Sequence, residues 1–164
     1  MAEVYLLLGS NEGHRKQHLI QAAHQISVKC GNIIRRSGIY ETEAWGMKEQ
    51  SAFLNQALLL QTYLSPAGLL TRLKNIEREA GRLQTVHWGP RIIDIDILFY
   101  GADIIDLPQL KVPHPYLHQR RFTLEPLVEI APELNHPLLK QSVRELLKVC
   151  PDTSDVKMLE AENH

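Results

Sequence analysis

Isoleucine recurs at every second position through Ile93-Asp94-Ile95-Asp96-Ile97, and Phe99 extends the pattern. Such alternation suits a β-strand, whose successive side chains leave opposite faces. It predicts a strand over residues 92–100 with Ile93, Ile95, Ile97 and Phe99 on one face and Asp94 and Asp96 on the other. A strand apolar on one side must be covered on that side, which constrains the chain to a sheet with other elements packed against it.

The preceding segments supply those elements. Val4 to Leu8 is an apolar run ended by Gly9-Ser10-Asn11, a buried-strand pattern. Leu19, Ala22, Ala23, Ile26 and Cys30 then follow helical spacing, with Gly31 placed to end the helix. A second strand is expected over residues 33–40, a loop over 41–51 and a third strand over 53–62. Ser65-Pro66 is a helix start, a capping hydroxyl before a proline at the first helical position. Leu69, Leu70, Leu73, Ile76 and Ala80 form that helix's apolar stripe, and Gly81 marks its end. With the Asp-bearing strand the order is β-α-β-β-α-β, a ferredoxin-like α+β core with an antiparallel sheet and both helices on one face. Gly101-Ala102-Asp103 then turns the chain into an added hairpin, with Ile104-Ile105 and residues 110–112 as short strands. C-terminal helices follow in pieces broken by Pro126, Pro132 and Pro137, the last capped by Ser142. The polar tail from residue 152 is expected to be mobile, and residues 1–164 read as one domain.

Asp94 and Asp96 would stand roughly 6–7 Å apart along the strand. A carboxylate pair so placed suits a metal pair, whose usual separation is about 3.5–4 Å. A solvated strand face is the alternative. At about 6 Å two such charges repel by under ~1 kcal/mol in water but nearly ~3 kcal/mol at an effective dielectric of 20, so in a cleft they call for cations. On the third strand Phe53 and Asn55 share a face, opposite Leu54, Leu58 and Leu60. A ring beside an amide makes a floor for a flat heterocycle, although a ring alone is more often core. Arg82 and Arg91 bracket the loop before the two-acid strand. With Arg120 and Arg121 they are candidates for phosphate contacts, since a guanidinium offers paired planar donors. His114, between Pro113 and Pro115, is either a positioned polar contact or an ordinary turn histidine.

A formal net charge of −1 argues against a nucleic-acid binder that relies on bulk positive charge. The first apolar run is too short for a signal peptide or a membrane span. Cys30 and Cys150, the two cysteines, follow predicted helices and read as reduced thiols of a cytoplasmic protein. The chain lacks a Walker-type Gly-Lys-Ser/Thr loop, a G-x-S-x-G elbow and a Cys/His zinc spacing.

These pieces coincide with one family. Leu8-Gly9-Ser10-Asn11, Tyr40-Glu-Thr42, Phe53-Leu-Asn55, Ile76-Glu77 and Gly81-Arg82 carry the first part of the likeness. Trp88-Gly89-Pro90-Arg91-Ile-Ile-Asp94-Ile-Asp96-Ile97, Val112-Pro113-His114-Pro115, Arg120-Arg121-Phe122 and Glu129-Ile-Ala-Pro132 complete it. Over residues 4–147 the chain resembles the 6-hydroxymethyl-7,8-dihydropterin pyrophosphokinases of folate biosynthesis. The resemblance implies transfer of pyrophosphate from ATP to the pterin's hydroxymethyl oxygen, with release of AMP. It implies two Mg²⁺ ions held by Asp94 and Asp96 along the ATP phosphates. It also implies a pterin stacked between Phe53 and Phe122, its edge read by Asn55 and the backbone of Thr42, Glu43, Ala44 and Trp45. Arg82 and Arg91 would contact phosphates and act in catalysis. Glu77, Ile97, His114 and Arg120 would lie on the ATP side, and Asp96 would take the alcohol proton or serve the metal alone. Residues 41–51 and 84–89 would be mobile loops that cover the ligands. Departures from other members fall at Gln84, His87, Trp45, Phe53, Gln109, Lys111 and Pro115. The family precedent is a monomer or a weak association. Two other readings stand beside this one: a non-catalytic ferredoxin-like module sensing a nucleotide or pterin, and a small RNA-binding domain.

Overall fold

The computed structural model describes residues 1–43, 52–81 and 92–161. The first helical unit runs β1 (Ala2–Ser10), α1 (Arg15–Lys29), β2 (Asn32–Arg36) and β3 (Ile39–Thr42). The second runs β4 (Phe53–Thr62), α2 (Pro66–Ala80) and β5 (Asp94–Tyr100). After these come a hairpin of β6 (Ile105–Leu107) and β7 (Leu110–Val112), then α3 (Arg121–Ile130), α4 (Val143–Lys148) and β8 (Val156–Glu160). The main sheet has the order β5-β1-β4-β3-β8, with β2 also paired to β4, and its pairings are antiparallel. Relative to the expected four strands this is the order fourth, first, third, second, and the α+β ferredoxin-like core stands as predicted.

α1 and α2 cover one face. Leu19, Ala23 and Ile26 of α1 and Leu69, Leu73 and Ile76 of α2 pack there on Leu6, Leu8, Leu58, Leu60, Ile95 and Ile97. Ser65 caps α2 by accepting from Gly68 N at 3.1 Å. Leu70 is partly buried, whereas Ala80 is exposed and outside the stripe expected for it. Gly31 follows α1 where the chain passes close to β4: an added Cβ would lie 2.1 Å from Gln61 O. On the other face Tyr5, Leu7, Ala57, Leu59 and Phe99 meet Leu124, Leu127, Val143 and Leu146 of α3 and α4.

Several local expectations are corrected. Leu6 pairs with Ile97 but Tyr5 with Phe99, so one extra residue of β5 is accommodated between them. This bulge breaks the alternation. Phe99 therefore joins the α3–α4 face, edge-on to Tyr5, rather than the face of Ile93, Ile95 and Ile97. The single strand expected over 33–40 is two. At the break Gly38 N donates to the Glu129 carboxylate of α3 at 3.0 Å, while buried Ser37 donates its N–H to Ala57 O at 2.9 Å. Glu129 also accepts from the Tyr40 hydroxyl at 2.6 Å, and burial together with this bond pushes the Tyr40 phenol well above its ordinary pKa. Glu41 and Thr42, expected in a loop, finish β3. Pro126 does not break α3 but sits buried inside it, at the loss of one backbone bond to Phe122. Ser142 and Glu145 form a reciprocal capping box for α4. The tail expected to be mobile adds β8 to the free edge of β3. Cys30 and Cys150 are free thiols, and among the described residues no helix is long and apolar enough to cross a membrane.

Candidate active site

At one end of the sheet three strand ends lie side by side. Gly9 of β1 is in register with Asn55 of β4 on one side and Asp94 of β5 on the other, and Leu7 with Ala57 and Asp96. These residues face the α3 side but lie at its margin. A cavity of about 160 Å³ opens there, floored by Leu7, Gly9 and Asn55. Asp94 and Asp96 form one wall, and Phe53, Phe122 and Arg120 complete it. The sequence-predicted carboxylate pair and ring–amide pair thus meet in one cleft.

Gly9 opens the floor. A Cβ at that position would lie 2.8 Å from Asn55 Nδ2. Asn55 is buried and donates from Nδ2 to Leu8 O at 3.2 Å, while its Oδ1 has no hydrogen-bond partner. Thr42, paired with Phe53, also has a buried hydroxyl without a partner, as does Ser10 beside Gly9. Buried polar atoms are normally paired, and leaving one unmade costs about 1–3 kcal/mol. Three of the five such atoms among the described residues gather at this sheet end; the others are His18 Nδ1 and His118 Nδ1. A ligand with donors and acceptors on its edge would satisfy those facing the cleft.

Arg120 precedes α3, and its guanidinium lies 5.7 Å from the Phe122 ring centroid and 5.2 Å from that of Tyr116. Held between two rings, it is pre-ordered for an anionic ligand. His114 follows a cis Val112–Pro113 bond and donates its N–H to Leu98 O at 3.0 Å. Its Nδ1 accepts from Tyr116 N at 3.2 Å, an arrangement that assigns the neutral ring's proton to Nε2. Burial lowers the His114 pKa; Asp96 opposes that shift and Arg120 adds to it.

Two residues predicted for the ATP side do not line this cavity. Ile97 is buried among the α1–α2 contacts, on the face away from the carboxylates. Glu77 approaches β5 from α2 and accepts from Ile95 N at 2.7 Å, its other oxygen lying 3.2 Å from Lys74 Nζ. It therefore holds the edge strand at the residue between Asp94 and Asp96. Glu43 is exposed. Ala44, Trp45, Arg82 and Arg91, with Gln84 and His87, lie outside the described residues. Sequence reasoning passed over Leu7 and Tyr116. Leu7 carried no signal separating cleft from core; Tyr116, two residues from His114, carried an aromatic one.

Asp94 and Asp96 present hard carboxylate oxygens on one strand face. No group of three or more His, Cys, Asp or Glu suited to a metal occurs among the described residues. Such a donor set fits Mg²⁺, which takes one or two protein carboxylates and completes its shell with phosphate oxygens and water.

A ferredoxin-like α+β fold with a two-carboxylate wall facing a ring-and-amide floor suits a protein that binds a flat heterocycle beside a metal-bound phosphate chain. The sequence model of the family described as 7,8-dihydro-6-hydroxymethylpterin-pyrophosphokinase matches residues 5–132, and the chain belongs to that family. It is 43% identical over 145 residues to the 2-amino-4-hydroxy-6-hydroxymethyldihydropteridine pyrophosphokinase of Aquifex aeolicus, covering 88% of this chain and 90% of that one. The Pseudomonas aeruginosa enzyme of the same name is 39% identical over 150 residues, covering 90% and 91%. The folic acid synthesis protein fol1 of Pneumocystis carinii is 41% identical over 85% of this chain, which spans only 19% of that protein. Wild-type Plasmodium falciparum HPPK-DHPS with pteroate superposes with a TM-score of 0.73 at 20% identity, over 90% of this chain and 42% of that chain, a likeness of fold. The activity is pyrophosphoryl transfer in folate biosynthesis, an ATP-dependent and Mg²⁺-requiring reaction, and the non-catalytic sensing alternative is not favoured.

Proposed function

We propose that the cleft between β1, β4, β5 and the start of α3 carries this transfer, with the pterin over Asn55 and the ATP phosphates along Asp94 and Asp96. The observation that carries the reading is the meeting of a half-buried carboxylate pair with the unpartnered Asn55 Oδ1 and two phenyl rings around one cavity. Phe53 and Phe122 stack on the pterin, and Asn55 Oδ1 accepts from its ring N–H groups. Thr42, Glu43, Ala44 and Trp45 read the rest of its edge, chiefly through backbone.

Asp94 and Asp96 would hold two Mg²⁺ ions, which would supply neutralising charge to the polyphosphate and orientation to the attacking and leaving oxygens. The pterin's hydroxymethyl oxygen attacks the β-phosphorus, the bond from that phosphorus to the α–β bridging oxygen breaks, and AMP leaves. The alcohol proton passes to a carboxylate, Asp96 being the candidate, or to water. Arg82 and Arg91 donate to the phosphates as charge redistributes, and His114 and Arg120 hold the nucleotide side. Of the residues assigned to the nucleotide, Ile97 can contribute only its backbone, its side chain being buried on the α1–α2 face, and Glu77 acts by fixing the strand through Ile95 N–H. The chain works as a cytoplasmic monomer without nucleic acid, and its balanced charge supports the last point.

Incubation with 6-hydroxymethyl-7,8-dihydropterin and MgATP is expected to yield AMP and the pterin diphosphate. Formation of ADP instead would overturn the assignment.

A further inference from the structure

We infer that Arg15 is a positioning residue for the pterin half of the cleft, fastening the end of β3 to the start of β4 and so setting where Thr42, Phe53 and Asn55 stand. Arg15 is the first residue of α1. Its Nη1 donates to Ala52 O at 2.6 Å and to Glu41 Oε2 at 3.2 Å. One nitrogen with two hydrogens thus serves both acceptors, one in β3 and one immediately before β4. Thr42 and Phe53 are the last registered pair of the β3–β4 ladder, directly inside this clamp. Strand ends fray where the ladder stops, and a charge-assisted bond to each side closes this one.

The clamp reaches a third strand through the covalent chain. Four residues separate the end of β1 at Ser10 from Arg15, and Gly13 takes a positive φ of 66° in the turn between them. Arg15 N donates to Gly13 O at 2.9 Å, tightening the same turn. The guanidinium ties the ends of β3 and β4, which bear Thr42, Phe53 and Asn55, and the backbone of the same residue leads back to β1 and Gly9. Asp94, Asp96, His114 and Arg120, assigned to the nucleotide, receive no hydrogen bond or ion pair from Arg15 among those found in the described residues. The clamp therefore bears directly on Thr42, Phe53 and Asn55 and reaches β5 only through the β1–β5 register at Gly9 and Asp94. Loss of Arg15 should move the pterin floor far more than the nucleotide side.

This inference rests on the pterin being bound over Asn55, a reading that AMP formation by the unmodified protein tests separately. Arg15→Ala, Arg15→Lys and Glu41→Gln would be titrated with dihydropterin by its fluorescence and with a non-hydrolysable MgATP analogue by calorimetry, alongside kinetics and thermal melting. Arg15→Ala is expected to raise Kd and KM for the pterin about tenfold, with nucleotide Kd within about twofold and kcat within about threefold. Arg15→Lys should lie between wild type and Ala. Glu41→Gln should lose about threefold or less in pterin affinity, because the Ala52 contact remains. Unchanged pterin affinity in Arg15→Ala, or parallel loss of both affinities with the melting point, would overturn the inference. If Arg15→Ala does not fold, Arg15→Lys decides: a pterin-selective loss sustains the clamp, and equal losses or none refute it. An unmodified protein that forms no AMP defeats the pterin assignment instead.

Discussion

Replacing Gly9 by alanine tests the cleft floor directly. The new Cβ would stand 2.8 Å from Asn55 Nδ2. A flexible side chain would swing aside, but Asn55 is only 4% exposed and held by its bond to Leu8 O, already 3.2 Å long. Relief from 2.8 Å to an ordinary contact of about 3.4 Å needs a shift of about 0.6 Å, enough to carry that bond past useful length. Losing it costs about 1 kcal/mol, overpacking adds about 1–3 kcal/mol, and alanine's better strand behaviour returns about 0.5–1 kcal/mol. The net loss is about 2 kcal/mol, a fall in melting temperature of roughly 4–8 °C for a chain of this size. The functional loss should be larger than the stability loss suggests, because the displaced amide is the group proposed to read the pterin. A tenfold or greater rise in pterin Kd is expected, read by fluorescence titration, with nucleotide Kd little changed. A Gly9→Ala protein that melts and binds pterin like wild type would refute the packing argument and the role of Asn55 together.

Asp94→Ala and Asp96→Ala should each lower AMP formation by about a hundredfold or more, since each removes a charge facing the polyphosphate; near-normal rates in both would sink the two-carboxylate assignment. Glu77→Ala leaves Ile95 N–H without its acceptor and should cost about 1–3 kcal/mol in denaturant unfolding, whereas Glu77→Gln retains an acceptor and should cost less than half as much. Equal losses would show that the carboxylate's charge, not its bond to β5, matters. His136 accepts from Leu138 N at 3.2 Å and Leu139 N at 3.1 Å through Nδ1, and burial, with His118 nearby, lowers its pKa. Its neutral form is favoured in the folded chain, so the stability it contributes is complete above the unfolded value near about 6.5 and is lost as pH falls through the lower folded value. His136→Asn keeps a side-chain acceptor for the same turn without titrating there. The stability gap between wild type and variant should therefore shift against wild type below about pH 6.5, and a pH-independent gap in urea unfolding would contradict this.

Much of the fold was legible because its signals are local. Helical spacing located α1 and α2, Ser65-Pro66 located the start of α2, and strand alternation assigned Phe53 and Asn55 to one face of β4. The pairing of Asp94 with Asp96 was legible for the same reason. Where the prediction failed, a distant residue intervened. The 33–40 strand splits because Glu129, 91 positions from Gly38, takes its N–H. Phe99 changes face because β1 and β5 accommodate an extra residue in their register. The polar tail becomes β8 because β3 offers it a free edge.

By itself the sequence determined the β-α-β-β-α-β order of the core, the shared face of the two acids and the family likeness. Period and punctuation are properties of neighbouring residues. Only the tertiary structure decided that Gly9 opens a floor against Asn55, that Glu77 holds the strand of acids, and that Arg15 clamps two strand ends. Each of these depends on strand register or on contacts between elements far apart in the chain. Such contacts form when packing brings backbone donors and acceptors together, and no local periodicity records them.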